Sequence, residues 1–181
     1  TLDEGLELRE RGIEAPILVF APFFSPEEAA VAAQWGLTGT VDSLEMLKAC
    51  YNNLGLPAKI HLKVNTGMNR FGIAPEQAVE FLRQAEDISG LEVEGIYSHF
   101  ATTPSTNKRF MEKQFAVFSQ VLEALEEQGF NIPIKHICNS AAVLEMPHMH
   151  LDMVRVGNLL YGQKTSAKEA GIQLKDPWTA K

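Results

Sequence analysis

The chain is 181 residues long, 45% hydrophobic and 22% charged, with a formal net charge of −7. That balance fits one globular unit and argues against a nucleic-acid or anionic-membrane surface as the main partner, while leaving room for a local cationic pocket that takes a small anion. Cys50 and Cys138 are too few and too far apart for a disulfide framework or a cysteine-rich metal site, so a reducing, cytoplasmic setting is the default; no apolar run approaches the roughly 18 residues of a membrane span.

The chain opens inside a helix, "TLDEGLELRERGI", and then alternates short apolar runs with helical segments. Strands are predicted at 15–20, 36–41, 58–64, 91–100, 134–138 and 153–157. Between them, "SPEEAAVAAQWG" starts a helix with Ser25 as N-cap, Pro26 at the first helical position and Glu28 completing a capping box. "DSLEMLKACYNN" and "PEQAVEFLRQAED" follow the same logic, with acidic residues in the first turn. The longest helix is predicted from about 107 to 128, stopping at Gly129, with Met111, Phe115, Phe118, Leu122 and Leu125 as its apolar core stripe. Repeated strand–helix units imply a parallel sheet covered by helices. No Gly-x-Gly-x-x-Gly follows a strand, which weakens a dinucleotide-binding sheet. The rival is a (β/α)8 barrel, and six strands rather than eight make it an incomplete one.

The strand "KIHLKVN" places Ile60, Leu62 and Val64 on one face and His61, Lys63 and Asn65 on the other. A strand covered on both sides by helices is normally apolar on both faces, and an unpaired buried charge is expensive. "GIYSHF" brings Tyr97 and His99 together, and "MVRVG" sets Arg155 opposite Val154 and Val156. All three lie near the C-terminal ends of their strands, the catalytic mouth of a barrel. Lys63, Arg70, His99 and Arg155 therefore read as one cation-rich site for a phosphate, carboxylate or phenolate. His148 and His150, in "PHMHLDM", have no further ligand close in sequence and are read as a loop rather than a metal site; Cys138 is read as a small buried core residue.

"LKVNTGMNRFGI", "YSHFATTP", "HICNSAAVL" and "MVRVGNLLYG" together resemble, in order and separation, the motifs of alanine racemase, a fold-type III pyridoxal-phosphate enzyme family. The likeness runs through essentially all 181 residues and implies a single partial N-terminal barrel domain, about strands three to eight, with the first two strands and the C-terminal β-domain outside the sequence. It implies the interconversion of L- and D-alanine by a two-base mechanism, supplying D-alanine for peptidoglycan, in a cytoplasmic homodimer. A racemase of serine or of broad specificity, or a non-catalytic pyridoxal-phosphate protein, would share these motifs. Position by position, the resemblance makes Lys63 a carbamylated lysine whose anion pairs with Arg70, and aims Arg70 at the cofactor's phenolic oxygen. His99 lies beside the pyridine ring and Arg155 faces its nitrogen. Asn139, Ser140, Gly157 and Asn158 form the phosphate cup. Asn69 stands where the family more often has glycine, and Asn158 where an apolar or small residue is usual. Neither the Schiff-base lysine nor the catalytic tyrosine has a counterpart in the sequence; Tyr161 is a barrel tyrosine and not that base, and the C-terminal domain would begin near "DPWTAK". An open barrel of this kind exposes strand edges, so the isolated segment is expected to be inactive and of poor stability.

Overall fold

A computed structural model describes residues 1–102 and 104–162 of the chain, with side chains described outside 104–107; the segment "DPWTAK" lies outside the described residues. The elements run in strict alternation: α1 (Leu2–Glu10), β1 (Leu18–Pro22), α2 (Pro26–Gln34), β2 (Thr38–Val41), α3 (Leu44–Tyr51), β3 (Ala58–Lys63), α4 (Ala78–Glu86), β4 (Leu91–Tyr97), α5 (Pro104–Glu127), β5 (Ile134–His136) and α6 (Ser140–Glu145). All strand pairs are parallel, in the spatial order β1-β2-β3-β4-β5. That order decides between the two architectures. Every crossover advances by one strand in the same direction, and right-handed crossovers then put every helix on one face. A doubly wound sheet needs a reversal of strand order, and none occurs here. The sheet is a stretch of (β/α)8 barrel wall.

The helix-facing side of the sheet is apolar: Val41, Ile60, Leu62, Val64 and Ile96 are all fully buried. The other side, the barrel interior, carries Thr38, Thr40, His61, Lys63, Tyr97 and His136, each buried. A parallel sheet with one polar face is unusual unless that face holds a site. One irregularity serves it. Ile60 pairs with Val93 but His61 pairs with Gly95, so Glu94 is an extra residue in β4. Such a bulge re-aims a side chain, and here it brings the Glu94 carboxylate within reach of Thr38, Lys59 and His61.

The helix starts are largely as predicted. Ser25 Oγ accepts the Glu28 N–H at 3.3 Å, but the Glu28 carboxylate takes the Phe24 N–H at 2.7 Å. The return half of the box has thus moved one residue upstream. Ser43 caps α3 through the Met46 N–H. The third start is a 3-10 turn at Pro75–Gln77 that runs into α4. The long helix begins at Pro104, about three residues earlier than expected. Its buried line is Met111, Gln114, Phe118, Val121 and Leu125, with Phe115 and Leu122 only partly covered. The true stripe is rotated from the predicted one and has an amide at its centre. Gly129 ends the turn at φ 85, a conformation glycine adopts freely.

The sixth predicted strand is not a strand. Residues 153–157 make one isolated bridge, Asn139 with Arg155, through the Arg155 N–H to the Cys138 carbonyl at 3.0 Å. The chain turns at Leu151, held at φ 55, and reaches the sheet beyond the end of β5, where only one residue pairs. His150 Nε2 contacts the Val143 carbonyl at 2.9 Å, and His148 packs edge-on against Phe115. Cys138 is fully buried, as read from the sequence. Among the described residues no helix is long and apolar enough to cross a membrane.

Candidate active site

The C-terminal ends of the strands surround a cavity of about 470 Å³, within the range of small-molecule sites. Lys63, Arg70, His99 and Arg155 line it, as do Asn139, Ser140, Gly157 and Asn158. All eight residues singled out in the sequence therefore meet at one place. The remaining wall includes Phe20, Phe71, Tyr97 and Val156, of which only Tyr97 stood out in the sequence. Tyr161 is 84% exposed and is not part of the wall.

Lys63 follows from β3 geometry: it is the last residue of the strand and points inward, 2% exposed. Its Nζ sits over the rings of Phe71 and Tyr97, at 4.9 and 5.0 Å from their centroids. Burial, then the Arg155 and Arg70 charges, push its pKa down to about 8 against the pull of Asp42. The lysine inside the strand is thus a costly placement: the amine is buried beside two arginines, which makes it easier to deprotonate.

Arg70 is carried by a loop that returns to pair Ile73 with Val64. Asn65 Oδ1 accepts the N–H groups of Gly67 and Asn69 at 3.1 and 3.0 Å, and its amide donates to Asn69 Oδ1. Asn69 has φ 56, a left-handed conformation that glycine and asparagine tolerate best. The departure from glycine noted in the sequence is therefore a neutral one for the backbone. Gly72, at φ 124, admits no Cβ, which would meet Asn65 N at 2.9 Å and Lys63 Cγ at 3.0 Å. The Arg70 side chain is exposed, with its guanidinium 5.1 Å from the Phe71 ring centroid.

Arg155 contrasts with Arg70. Its Nη2 donates to the carbonyls of Ser98 and Ile137 at 2.8 and 3.1 Å and to His99 Nδ1 at 3.1 Å. Its Nη1 donates to His136 Nδ1 at 2.6 Å. A guanidinium has only donors, so both histidines accept from it and carry their hydrogen on Nε2. His99 is neutral, its pKa lowered to about 4 by burial and then by Arg155, Lys63 and Arg70. His136 passes its Nε2–H to His61 Nδ1 at 2.9 Å, and His61 Nε2 faces Glu94 Oε1 at a longer 3.5 Å. Burial holds both of these imidazoles neutral as well. The Glu94 carboxyl is raised by burial but held below the usual range by Lys59 and Thr38, which outweigh it. A one-directional hydrogen-bond line thus runs down the barrel interior from Arg155 through His136 to His61, with the Glu94 carboxylate facing its end. Tyr97 stacks on His136 at 4.8 Å and 5°. Its hydroxyl meets Thr40 Oγ1 at 3.1 Å, where Thr40 has already donated to the Val19 carbonyl. His136 and Gln114 carry no motif or periodicity that marks them in the sequence, and alternation along β3 gives only the face of His61.

Gly95 is required by this line. A Cβ there would lie 2.3–2.5 Å from the His61 ring. Gly95→Ala is expected to lower unfolding stability by about 1–3 kcal/mol and to break the His61–His136 contact, read from a chemical-denaturant midpoint and the ring-nitrogen shifts of the two histidines.

At the opposite wall, Asn139 Oδ1 caps α6 by accepting the Ala142 N–H at 3.1 Å, and Ser140 Oγ accepts the Gly157 N–H at 2.9 Å. A Cβ at Gly157 would meet no protein atom within 4 Å. Any need for glycine at that position comes from what the cavity holds and not from the protein. Among the described wall residues Lys63, Arg70 and Arg155 are cations and none is a carboxylate, so the chemistry of the cavity suits an anionic ligand bearing phosphate, carboxylate or phenolate groups.

A barrel wall whose mouth gathers two arginines, a buried lysine and a serine at a helix start has the make-up of an anion site at the catalytic end of a (β/α)8 barrel. The family profile "Alanine racemase, N-terminal domain" matches residues 1–165, and the chain belongs to that family. It is 45% identical over 163 residues to an alanine racemase of Methanococcus maripaludis, covering 88% of this chain and 43% of that protein. It is 44% identical over 167 residues to alanine racemase 1 of Oceanobacillus iheyensis, covering 89% and 44%. Among solved structures, the alanine racemase of Bacillus anthracis with bound L-Ala-P superposes with TM-score 0.86 at 33% identity, covering 96% of this chain and 46% of that one. The chain thus spans less than half the length of these relatives.

Proposed function

We propose that this chain is the cofactor-binding part of a pyridoxal-phosphate-dependent alanine racemase that interconverts L- and D-alanine. The observation that carries the reading is the cavity itself, where eight residues from four chain segments converge and the charged side chains are all basic. When bound, pyridoxal phosphate supplies an electron sink conjugated to the substrate α-carbon, which makes its hydrogen acidic.

This chain's residues would act as follows. Ser140, with the backbone at Asn139, Gly157 and Asn158, would hold the phosphate. Arg70 would bind the phenolic oxygen, its guanidinium having donors to spare for a neighbouring anion. Arg155 would face the pyridine nitrogen; burial lowers its pKa only to about 10, so it stays protonated and hands over no proton. A group that keeps its own proton would leave that nitrogen unprotonated, the setting in which the bound cofactor would be a weaker electron sink and racemisation would be favoured. Neutral His99 would present its Nε2–H beside the ring. Lys63, with its pKa lowered to about 8, has the neutral amine needed to take up carbon dioxide. As a carbamate it would turn a crowd of like charges into a pairing with Arg70. The two proton-transferring groups would lie outside these residues, the tyrosine on the partner subunit of a homodimer.

The test uses the full-length protein. Racemisation of alanine, with pyridoxal phosphate required and with faster turnover than for serine or lysine, is the expected result; absence of pyridoxal-phosphate binding would refute the assignment. Native mass spectrometry in bicarbonate should show about 44 Da of added carbon dioxide, absent in Lys63→Met.

A further inference from the structure

Gln114 lies at the centre of the buried line of α5 and is 1% exposed. A buried amide must satisfy its donors and acceptor without water, and this one does. Its Nε2 donates to Thr66 Oγ1 at 3.3 Å and to the His99 carbonyl at 3.1 Å. Its Oε1 accepts the Ala101 N–H at 3.0 Å. The orientation is forced, because a flipped amide would set donor against donor at Ala101 and acceptor against acceptor at His99.

The direction propagates. Ser98 Oγ donates its single proton to the Val64 carbonyl at 2.8 Å, so the 2.7 Å contact with Thr66 is donated by Thr66. Thr66, its own proton committed, accepts from Gln114. One amide on a helix outside the cavity therefore ties together two strand ends. Thr66 opens the loop that carries Arg70, and the His99 carbonyl belongs to the residue whose ring receives Arg155 Nη2.

We infer that Gln114 is a positioning residue for this site, holding the His99 ring against Arg155 through one arm and the Arg70 loop through the other, without touching the ligand. The inference rests on the proposed function only for what the cavity binds. Three charged groups face His99: Arg155 from the segment after β5, Lys63 from β3 and Arg70 from its loop. All are cations that keep its ring neutral while it stays in place. Once its carbonyl is released, the ring turns from Arg155 toward water, where an imidazole titrates near ~6.5.

The experiment follows the ring nitrogens of His99 in full-length, cofactor-free protein with labelled histidine, assigned by His99→Asn, between pH 5 and 8. In the wild type His99 is expected to stay neutral with hydrogen on Nε2, consistent with a pKa lowered to about 4. Gln114→Met is expected to move its midpoint up by more than one pH unit and to raise the dissociation constant for pyridoxal phosphate about tenfold. Thr66→Val cuts only the other arm, so it should weaken cofactor binding and leave the His99 signal unchanged. Should Gln114→Met fail to fold, Gln114→Glu, which keeps the Ala101 bond and loses both donations, gives the same histidine readout. Wild-type titration of His99 in a folded Gln114 variant would overturn the inference. Wild-type protein that binds no pyridoxal phosphate would refute the functional reading and leave the histidine result intact.

Discussion

Replacing Arg155 with methionine is expected to raise the dissociation constant for pyridoxal phosphate about a hundredfold and to lower the stability of the cofactor-free protein by about 2–5 kcal/mol. The second effect comes from what the guanidinium leaves behind. His136 Nδ1 and the carbonyls of Ser98 and Ile137 all accept from it, and methionine returns none of those bonds. The open cavity admits water to part of the gap, which keeps the loss below the simple sum. Arg155→Lys should rescue little, since one compact ammonium cannot reproduce the planar fork that meets four acceptors on two segments. Cofactor titration and urea unfolding together check this. Unchanged cofactor affinity in a folded Arg155→Met protein would remove the arginine from the site.

Lys63→Met should do the opposite to the cofactor-free protein, raising its stability at pH 7 by about 1–3 kcal/mol. The buried amine has a folded pKa of about 8 against roughly 10.4 in the unfolded chain. Between those values the unfolded chain binds more protons, so wild-type stability rises with pH there. The gain is complete above about pH 10.4 and lost as the pH falls through about 8. The difference between variant and wild type should therefore shrink as the pH climbs from 8 to 10. Bicarbonate near pH 8 should reverse its sign, because a carbamate on Lys63 pairs with the neighbouring arginines and methionine cannot form one. A variant less stable than wild type across this range without bicarbonate would show that the amine is well compensated.

The parts of the site that lie within one strand or turn were legible in the sequence. Alternation along β3 separated Ile60, Leu62 and Val64 from His61 and Lys63, and the N-caps at Ser25 and Ser43 marked their helices. What was hidden depends on contacts across the fold. His61 and His136 are 75 positions apart, and neither periodicity nor spacing pairs them until the strands lie side by side. The bulge at Glu94 shifts the register by one residue with no composition signal. Gln114 was hidden for a different reason: the helical pattern was read from its apolar members, which rotated the stripe toward Phe115 and Leu122 and passed over a polar residue at its centre. The last strand failed because pairing needs a partner, and β5 ends at His136 before the chain returns.

The two arginines of the cavity differ in freedom before anything binds. Arg155 is locked by four acceptors, whereas the Arg70 side chain is exposed, on a loop closed at its base. Immobilising a long side chain on ligation costs about 0.5–1.5 kcal/mol of entropy, and that toll falls on Arg70 alone. Arg155 is an anchor set in advance and Arg70 a clasp that closes afterwards, so the temperature dependence of capture should report the clasp and hardly the anchor.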